Sequence, residues 1–311
     1  MSEFVNTIDR LGDEAVTKAL IERTITEFHD DVIVLVKRYA FDGCSALTSV
    51  NLPNVTTIND SAFRGCSNLV STELPLVNSI GSHAFEDCSE LESISIPLMK
   101  SNALGDYAFQ RCSKLKTAYF PLLTRILRYV FYDCSALTSV VAPNVTSIGT
   151  MAFRNCSALK SISFPLVTKI DTDLLNGCTE LTDVDIPKAT SVGGFSFYSC
   201  QKLERIDLPS ATSIGDRAFS GCSSLNTIII RSSTVCTLTS TNAFENSPLG
   251  NWNKAGTFIF PRALTTEYSN ATNWSNELAE GRNNRVLALE DYTIDGTITG
   301  AIDWDKLNGG N

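Results

Sequence analysis

Histidine is almost missing from this chain: His29 and His83 are the only two in 311 residues. Imidazole is the usual general base and nucleophile activator, so its scarcity removes the common participant of hydrolytic and group-transfer sites. Basic charge is short as well. With 25 Lys and Arg against 34 Asp and Glu, the formal net charge is -9. That balance excludes nucleic acid and anionic membrane as the main partner, since both call for a basic face. No apolar run approaches the roughly 20 residues that cross a bilayer, so no membrane insertion is expected. Glu3, Asp9, Asp13 and Glu14 stand where a secretory signal carries basic residues followed by an apolar core. The chain is therefore expected to be made in the cytosol, and an exterior role calls for another route, such as release with a virus particle. There is no Cys-x-x-Cys pair, no phosphate-loop glycine pattern and no dinucleotide fingerprint. Asp303 and Asp305 echo a calcium loop but lack its remaining spacing and closing glutamate. No catalytic residue, metal ligand or cofactor is assigned, and the chain is expected not to be an enzyme.

What the chain has is a period. Its ten cysteines fall at 44, 66, 88, 112, 134, 156, 178, 200, 222 and 236, nine of them in phase at intervals of 22 residues, with one interval of 24. Only Cys236 is off register. The phrase SAFRGCSNL (61–69) returns as HAFEDCSEL, YAFQRCSKL, MAFRNCSAL and RAFSGCSSL. A period of about 20 to 29 residues is the mark of a solenoid, whose units bury their apolar faces only against neighbouring units.

Aligned on cysteine, the unit carries a leucine, an apolar residue three later, a second apolar residue two after that, and a proline. The two apolar positions have strand period, which predicts Ile94 and Ile96, or Ile206 and Leu208, pointing inward and Ser95 and Asp207 pointing outward. Prolines 53, 75, 97, 121, 143, 165, 187 and 209 directly follow that strand, where a missing donor matters least and further pairing stops.

This pattern resembles the leucine-rich repeat, specifically the BspA-type branch of bacterial surface proteins, protist surface proteins and bacteriophage genomes. SIGSHAFEDCSELESISIP (79–97) is a representative stretch, and the resemblance covers about residues 40 to 249. It implies a right-handed leucine-rich-repeat-like solenoid of 22-residue coils with one short parallel strand per coil, capped at both ends. A half unit precedes the repeats, carried by Ile25, Phe28, Ile33, Val36 and Tyr39 to Phe41, and a degenerate unit follows, with Ser247 near the expected cysteine position. The expected domains are an N-terminal helical cap and half repeat (1–39), the solenoid (40–249), and a C-terminal cap and tail (250–311). Residues 7 to 22 have the spacing of an amphipathic lid. GTFIFPRALTTEYSNATNWSNELAE (256–280) is similar to the closing segment of such proteins, a last strand and a short helix. The final stretch reads as a small strand pair with an acidic end.

Three readings of the cysteines compete: disulfides, metal, core. Coils stack at about 4.8 Å, within the range of Cα separations that a disulfide bridges, so distance leaves pairing open. Equivalent residues of stacked coils project in parallel, however, and an odd number of in-phase cysteines without an export signal favours thiols acting as small buried hydrophobes. Binding belongs to the positions that vary while the scaffold repeats. The upstream outward column is mostly Ser and Thr, the other column is uneven, and the residues singled out from the two are Glu73, Tyr119, Val141, Asp183, Asp185, Arg205 and Asp207. By analogy with leucine-rich repeats these line the concave face, and they are the candidate ligand contacts. The expected partner is a protein or glycan on a cell surface, with other virion proteins as further partners. The expected location is the virion surface, as a tail-associated component, or alternatively the bacterial cell surface or the secreted fraction. The competing role is that of a structural or assembly protein docking through its caps.

Overall fold

The computed structural model describes residues 23–100, 104–251, 254–278 and 283–307. The lid expected over residues 7 to 22 lies outside them, as does Trp252. The chain divides into two compact units, Met1–Phe164 and Pro165–Asn311. Each is a stack of coils built on parallel strands.

In the first unit the predicted strands form parallel ladders with in-phase register. Glu27–His29 pairs with Ser49–Asn51, which pairs with Ser71–Glu73; farther along, Ser93–Ser95, Thr117–Tyr119 and Ser139–Val141 pair in turn. The alternation is as the period demands: Ile94 and Ile96 are buried and Ser95 is exposed. The structure adds a second ladder that the sequence reading did not anticipate. Two-residue strands recur at Leu35–Val36, Thr57–Ile58 and Ser79–Ile80, then at Arg125–Ile126 and Ser147–Ile148. Most coils therefore carry the expected strand and a shorter one after it, and in the coil of Ser93–Ser95 an isolated bridge from Leu104 to Ile80 stands at the place of the shorter strand.

The AFxxC phrase is a tight corner. The residue before Ala or its equivalent and the residue before Cys both adopt left-handed backbone, for example Tyr107 (φ 61°) and Arg111 (φ 58°), or Ser61 (φ 53°) and Gly65 (φ 71°). Successive corners are joined by backbone bonds in which the phenylalanine N–H donates to the next coil, as from Phe63 to the Ala84 carbonyl at 2.8 Å. The rings stack into a spine, with Phe41 to Phe63 centroids 4.9 Å apart and Phe63 to Phe85 5.1 Å apart. Cysteine completes the corner. The Cys66 thiol donates to the Phe41 carbonyl and the Cys88 thiol to the Phe63 carbonyl, each at 3.1 Å. A side chain with one small, weak donor suits a site that is apolar on all sides but one. All ten cysteines are buried and none is in a disulfide.

The second unit repeats this plan. Phe197, Phe219 and Phe244 stack, and the Cys222 thiol donates to the Phe197 carbonyl at 3.0 Å. In the degenerate coil Ser247 is buried and its hydroxyl donates to the Phe244 carbonyl at 2.7 Å. The long-strand ladder continues past the last repeat: Arg205–Leu208, Thr227–Ile230, Thr257–Phe260 and Arg285–Ala288 pair in that order, one strand more than the expected closing segment. Two short helices, Thr265–Asn270 and Trp274–Glu277, bring Tyr268 and Trp274 into full burial against Phe244, Phe258 and Phe260. The off-register Cys236 meets this plug through its backbone, its N–H donating to the Tyr268 hydroxyl at 2.9 Å and its carbonyl accepting from the Trp274 indole at 2.5 Å.

Among the described residues the expected strand pair at the C-terminus reduces to one antiparallel bridge, Thr293 to Ile302. The segment around it lies on the outward side of the ladder. Ile229, which the strand period places outward, is fully buried with Ile259, Leu289 and Ile302, and Leu287, Ile298 and Leu307 pack against them. Asp303 caps the helix Trp304–Leu307 by accepting the Lys306 N–H at 3.0 Å.

Candidate recognition surface

The outward strand positions of the first unit form a face of mostly short polar side chains. Glu73 is exposed at the end of its strand, opposite Asn51. Tyr119 and Val141 stand side by side in register, each 43% exposed, with Ser95 on the other flank of Tyr119. Three of the seven candidate contacts thus belong to this unit, and two of them form one patch.

The face is not flat at its start. A cavity of about 300 Å³ opens over the first three strands, lined by Glu27, Phe28, His29, Ser49, Val50, Asn51, Ser71 and Glu73. Its shape follows from side-chain length. The middle strand offers Ser49 and Asn51, both half-buried, while Glu27 and His29 rise from the strand on one side and Glu73 from the strand on the other. Buried Phe28 and Val50 close the floor.

The other four candidates belong to the second unit. Asp183 and Asp185 are exposed on one strand, and the Asp183 carboxylate accepts the Thr182 hydroxyl at 2.9 Å. Arg205 is exposed on the next. Asp207 is held otherwise than the strand pattern leads one to expect. Its carboxylate takes three bonds from the Arg231 guanidinium, at 2.6, 3.0 and 3.0 Å. Arg231 is only 10% exposed and its remaining arm donates to the carbonyls of Ile298 (3.1 Å) and Gly300 (2.6 Å). Asp207 therefore anchors the C-terminal segment. Arg231 is a residue the sequence reading missed, and a signal for it exists: it occupies the position, nine after cysteine, that proline fills in the eight preceding units.

The remaining titratable groups serve the scaffold. Burial pushes the Cys44 thiol up to about 11 and the Cys236 thiol up to about 12, and drives Cys66, Cys88, Cys112, Cys134 and Cys200 upward as well. Thiols so held are protonated at neutral pH, the opposite of what a nucleophile needs. His83 shares a 2.7 Å bond with Glu86 and stacks on Tyr107 at 4.6 Å, and Tyr107 stacks on Tyr129 at the same distance. Arg111 bridges to both Glu86 and Asp87 of the preceding coil, and its bond to Asp87 raises its pKa. These contacts tie one corner to the next.

Among the described residues no helix is long and apolar enough to cross a membrane. No curated protein matches the chain. Among solved structures, it is similar to a leucine rich cell surface protein of Faecalibacterium prausnitzii, at 25% identity over 71% of this chain and 76% of that one, with a TM-score of 0.41. A leucine-rich repeat protein from Bacteroides ovatus is 23% identical over 85% of this chain and 84% of its own, with a TM-score of 0.40. One from Eubacterium ventriosum is 22% identical over 77% and 87%, with a TM-score of 0.46. The model of the BspA type leucine rich repeat region, in six copies, matches residues 34–160 and 124–251. Most of the chain is covered by that match, and the chain belongs to the BspA-type leucine-rich repeat family.

Proposed function

We propose that the chain is a non-enzymatic recognition protein whose strand face holds a protein or glycan carried on a cell surface. The solenoid is displayed on the outside of a bacterial cell or, as a tail-associated component, of a phage particle. The observation that carries this reading is the exposed pair Tyr119 and Val141, side by side on a ladder whose inward positions are committed to the core. A tyrosine beside an aliphatic side chain, ringed by hydroxyls, has the composition of a binding hot spot. Membership of a family typical of bacterial surfaces supports the display.

Binding of the purified chain to a panel of bacterial cells and to a glycan array tests the reading. The double substitution Tyr119→Ala with Val141→Ser is expected to weaken the observed binding at least about tenfold, the loss of one modest hot spot. Asp185→Ala probes the acidic strand of the second unit separately. Binding that survives both variants unchanged removes the strand face from consideration.

A further inference from the structure

The cavity at the start of the strand face has a chemistry different from that of the Tyr119 patch, and it specifies a ligand more narrowly. We infer that the trough over Glu27–His29, Ser49–Asn51 and Ser71–Glu73 is a binding site for an amino sugar whose amine is unacylated. This rests on the reading of the strand face as the recognition surface and names a ligand class for one part of it.

Size comes first. About 300 Å³ lies at the lower end of the range for small-molecule sites, so a sugar unit fits while one lysine side chain leaves the trough underfilled. Polarity comes next. Half of the accessible lining is polar, with hydroxyl, amide, imidazole and carboxylate groups in two rows that follow the strand register: Glu27, Ser49, Ser71 and then His29, Asn51, Glu73. Rows of donors and acceptors at the roughly 4.8 Å spacing of strands match a ring that carries hydroxyls around its rim. Phe28 and Val50 are buried beneath, and the apolar half of the lining is small enough to be covered by the C–H face of one sugar ring.

Charge then narrows the class. Glu27 and Glu73 stand at diagonal corners, and none of the eight lining residues is Lys or Arg. Anionic sugars, such as uronic and sialic acids, meet two carboxylates and no Lys or Arg to offset them. A neutral sugar satisfies the hydroxyl-binding groups alone. An ammonium in place of one hydroxyl adds a charge-assisted bond to a carboxylate, shorter and stronger than a neutral one. Solvent access at both corners keeps each such gain modest, so avidity over several sugar units contributes much of the affinity.

Calorimetric titration of the full chain at about pH 6, where a sugar amine is protonated, separates the outcomes. The probes are a fully deacetylated chitosan tetramer, its N-acetylated counterpart and tetralysine. The expected result is at least about tenfold tighter binding of the deacetylated tetramer than of either other probe, with that preference abolished by Glu27→Gln combined with Glu73→Gln. Both replacements are isosteric and exposed, so the fold is retained and circular dichroism confirms it. Equal affinity for tetralysine assigns the trough to a cationic peptide and overturns the inference. So does a preference that survives the double Gln variant, or no binding of any probe. If the trough variants bind cells normally while Tyr119→Ala with Val141→Ser does not, the inference falls and the strand-face reading stands.

Discussion

A residue in a solenoid meets copies of itself above and below, and this decides which side chains a position tolerates. The position before cysteine shows the effect. Gly43, Gly65, Gly177 and Gly221 occupy it with φ between 68° and 78°, but Asp87, Arg111, Asp133, Asn155 and Ser199 occupy it with φ between 58° and 61°. A side chain there costs roughly 1–2 kcal/mol against the left-handed backbone, whereas glycine costs about 0.5–1 kcal/mol in the freedom it loses on folding. Arg111 and Asp87 recover the difference by bonding to each other across coils. Asn155 does so through Asp133, at 2.8 Å. Ser199, between Gly177 and Gly221 in the same column, offers the shortest side chain of the five. Ser199→Gly is therefore expected to stabilise the chain by about 0.5–1 kcal/mol, read as a higher urea midpoint at unchanged slope. A lower midpoint would show that the serine side chain outweighs the strain.

At the scale of elements, the repeats and the irregular C-terminus differ in what a sequence discloses. The Phe spine, the cysteine corner and the inward strand positions are legible because the same contacts recur every 22 residues, so composition accumulates column by column. The two-residue ladder was not legible: in Ser79–Ile80 or Ser147–Ile148 only one residue faces inward, and that is too short a stretch to show a period. The trough is equally silent, since it depends on Ser49 and Asn51 being shorter than Glu27, His29 and Glu73 on adjoining strands. The C-terminal segment has no period at all, and its anchor joins Arg231 to carbonyls 67 and 69 residues away. That anchor has a measurable consequence. Asp207 and Arg231 form a pair that is mostly shielded on the arginine side. Arg231→Ala leaves the carboxylate and two carbonyls without their donor, a change of about 2–3 kcal/mol after allowance for the exposure of Asp207. The segment from Thr293 to Ile302 should then open before the repeats unfold. Limited proteolysis is expected to cut the variant within that segment and to leave the wild type whole; identical cleavage patterns would mean that the apolar contacts of Ile302 and Leu289 hold the segment by themselves.

Across the whole molecule, the thiols add up. Each in-phase cysteine is a minor contributor alone, one small buried side chain that in Cys66, Cys88, Cys112, Cys134, Cys156, Cys200 and Cys222 also makes one weak bond, but nine coils place the same group in the same kind of site. An unfolded thiol ionises near about pH 8.5, whereas burial holds the folded groups protonated well above that, to about 11 even for Cys44, where Arg23 opposes the rise. Above about pH 8.5 the unfolded chain therefore binds fewer protons than the folded one, and stability falls as pH rises. The contribution is complete below the unfolded value and is lost on the approach to the folded one. A single thiol changes stability by at most about 1.4 kcal/mol per pH unit in that window, and Cys44, Cys66, Cys88, Cys112, Cys134, Cys200 and Cys236 acting together make the slope steep. Urea midpoints are expected to be level between about pH 6 and 8 and to drop sharply from about pH 9. Tyrosines and lysines also titrate at alkaline pH, so the decisive comparison is with the triple substitution Cys66→Ala, Cys88→Ala and Cys112→Ala. Its midpoint is lower at neutral pH, because three buried sulfurs and their bonds to the Phe41, Phe63 and Phe85 carbonyls are gone. Its alkaline slope is shallower by the share of those three thiols. If the two slopes coincide, the alkaline loss comes from other groups and the cysteine columns act through packing alone.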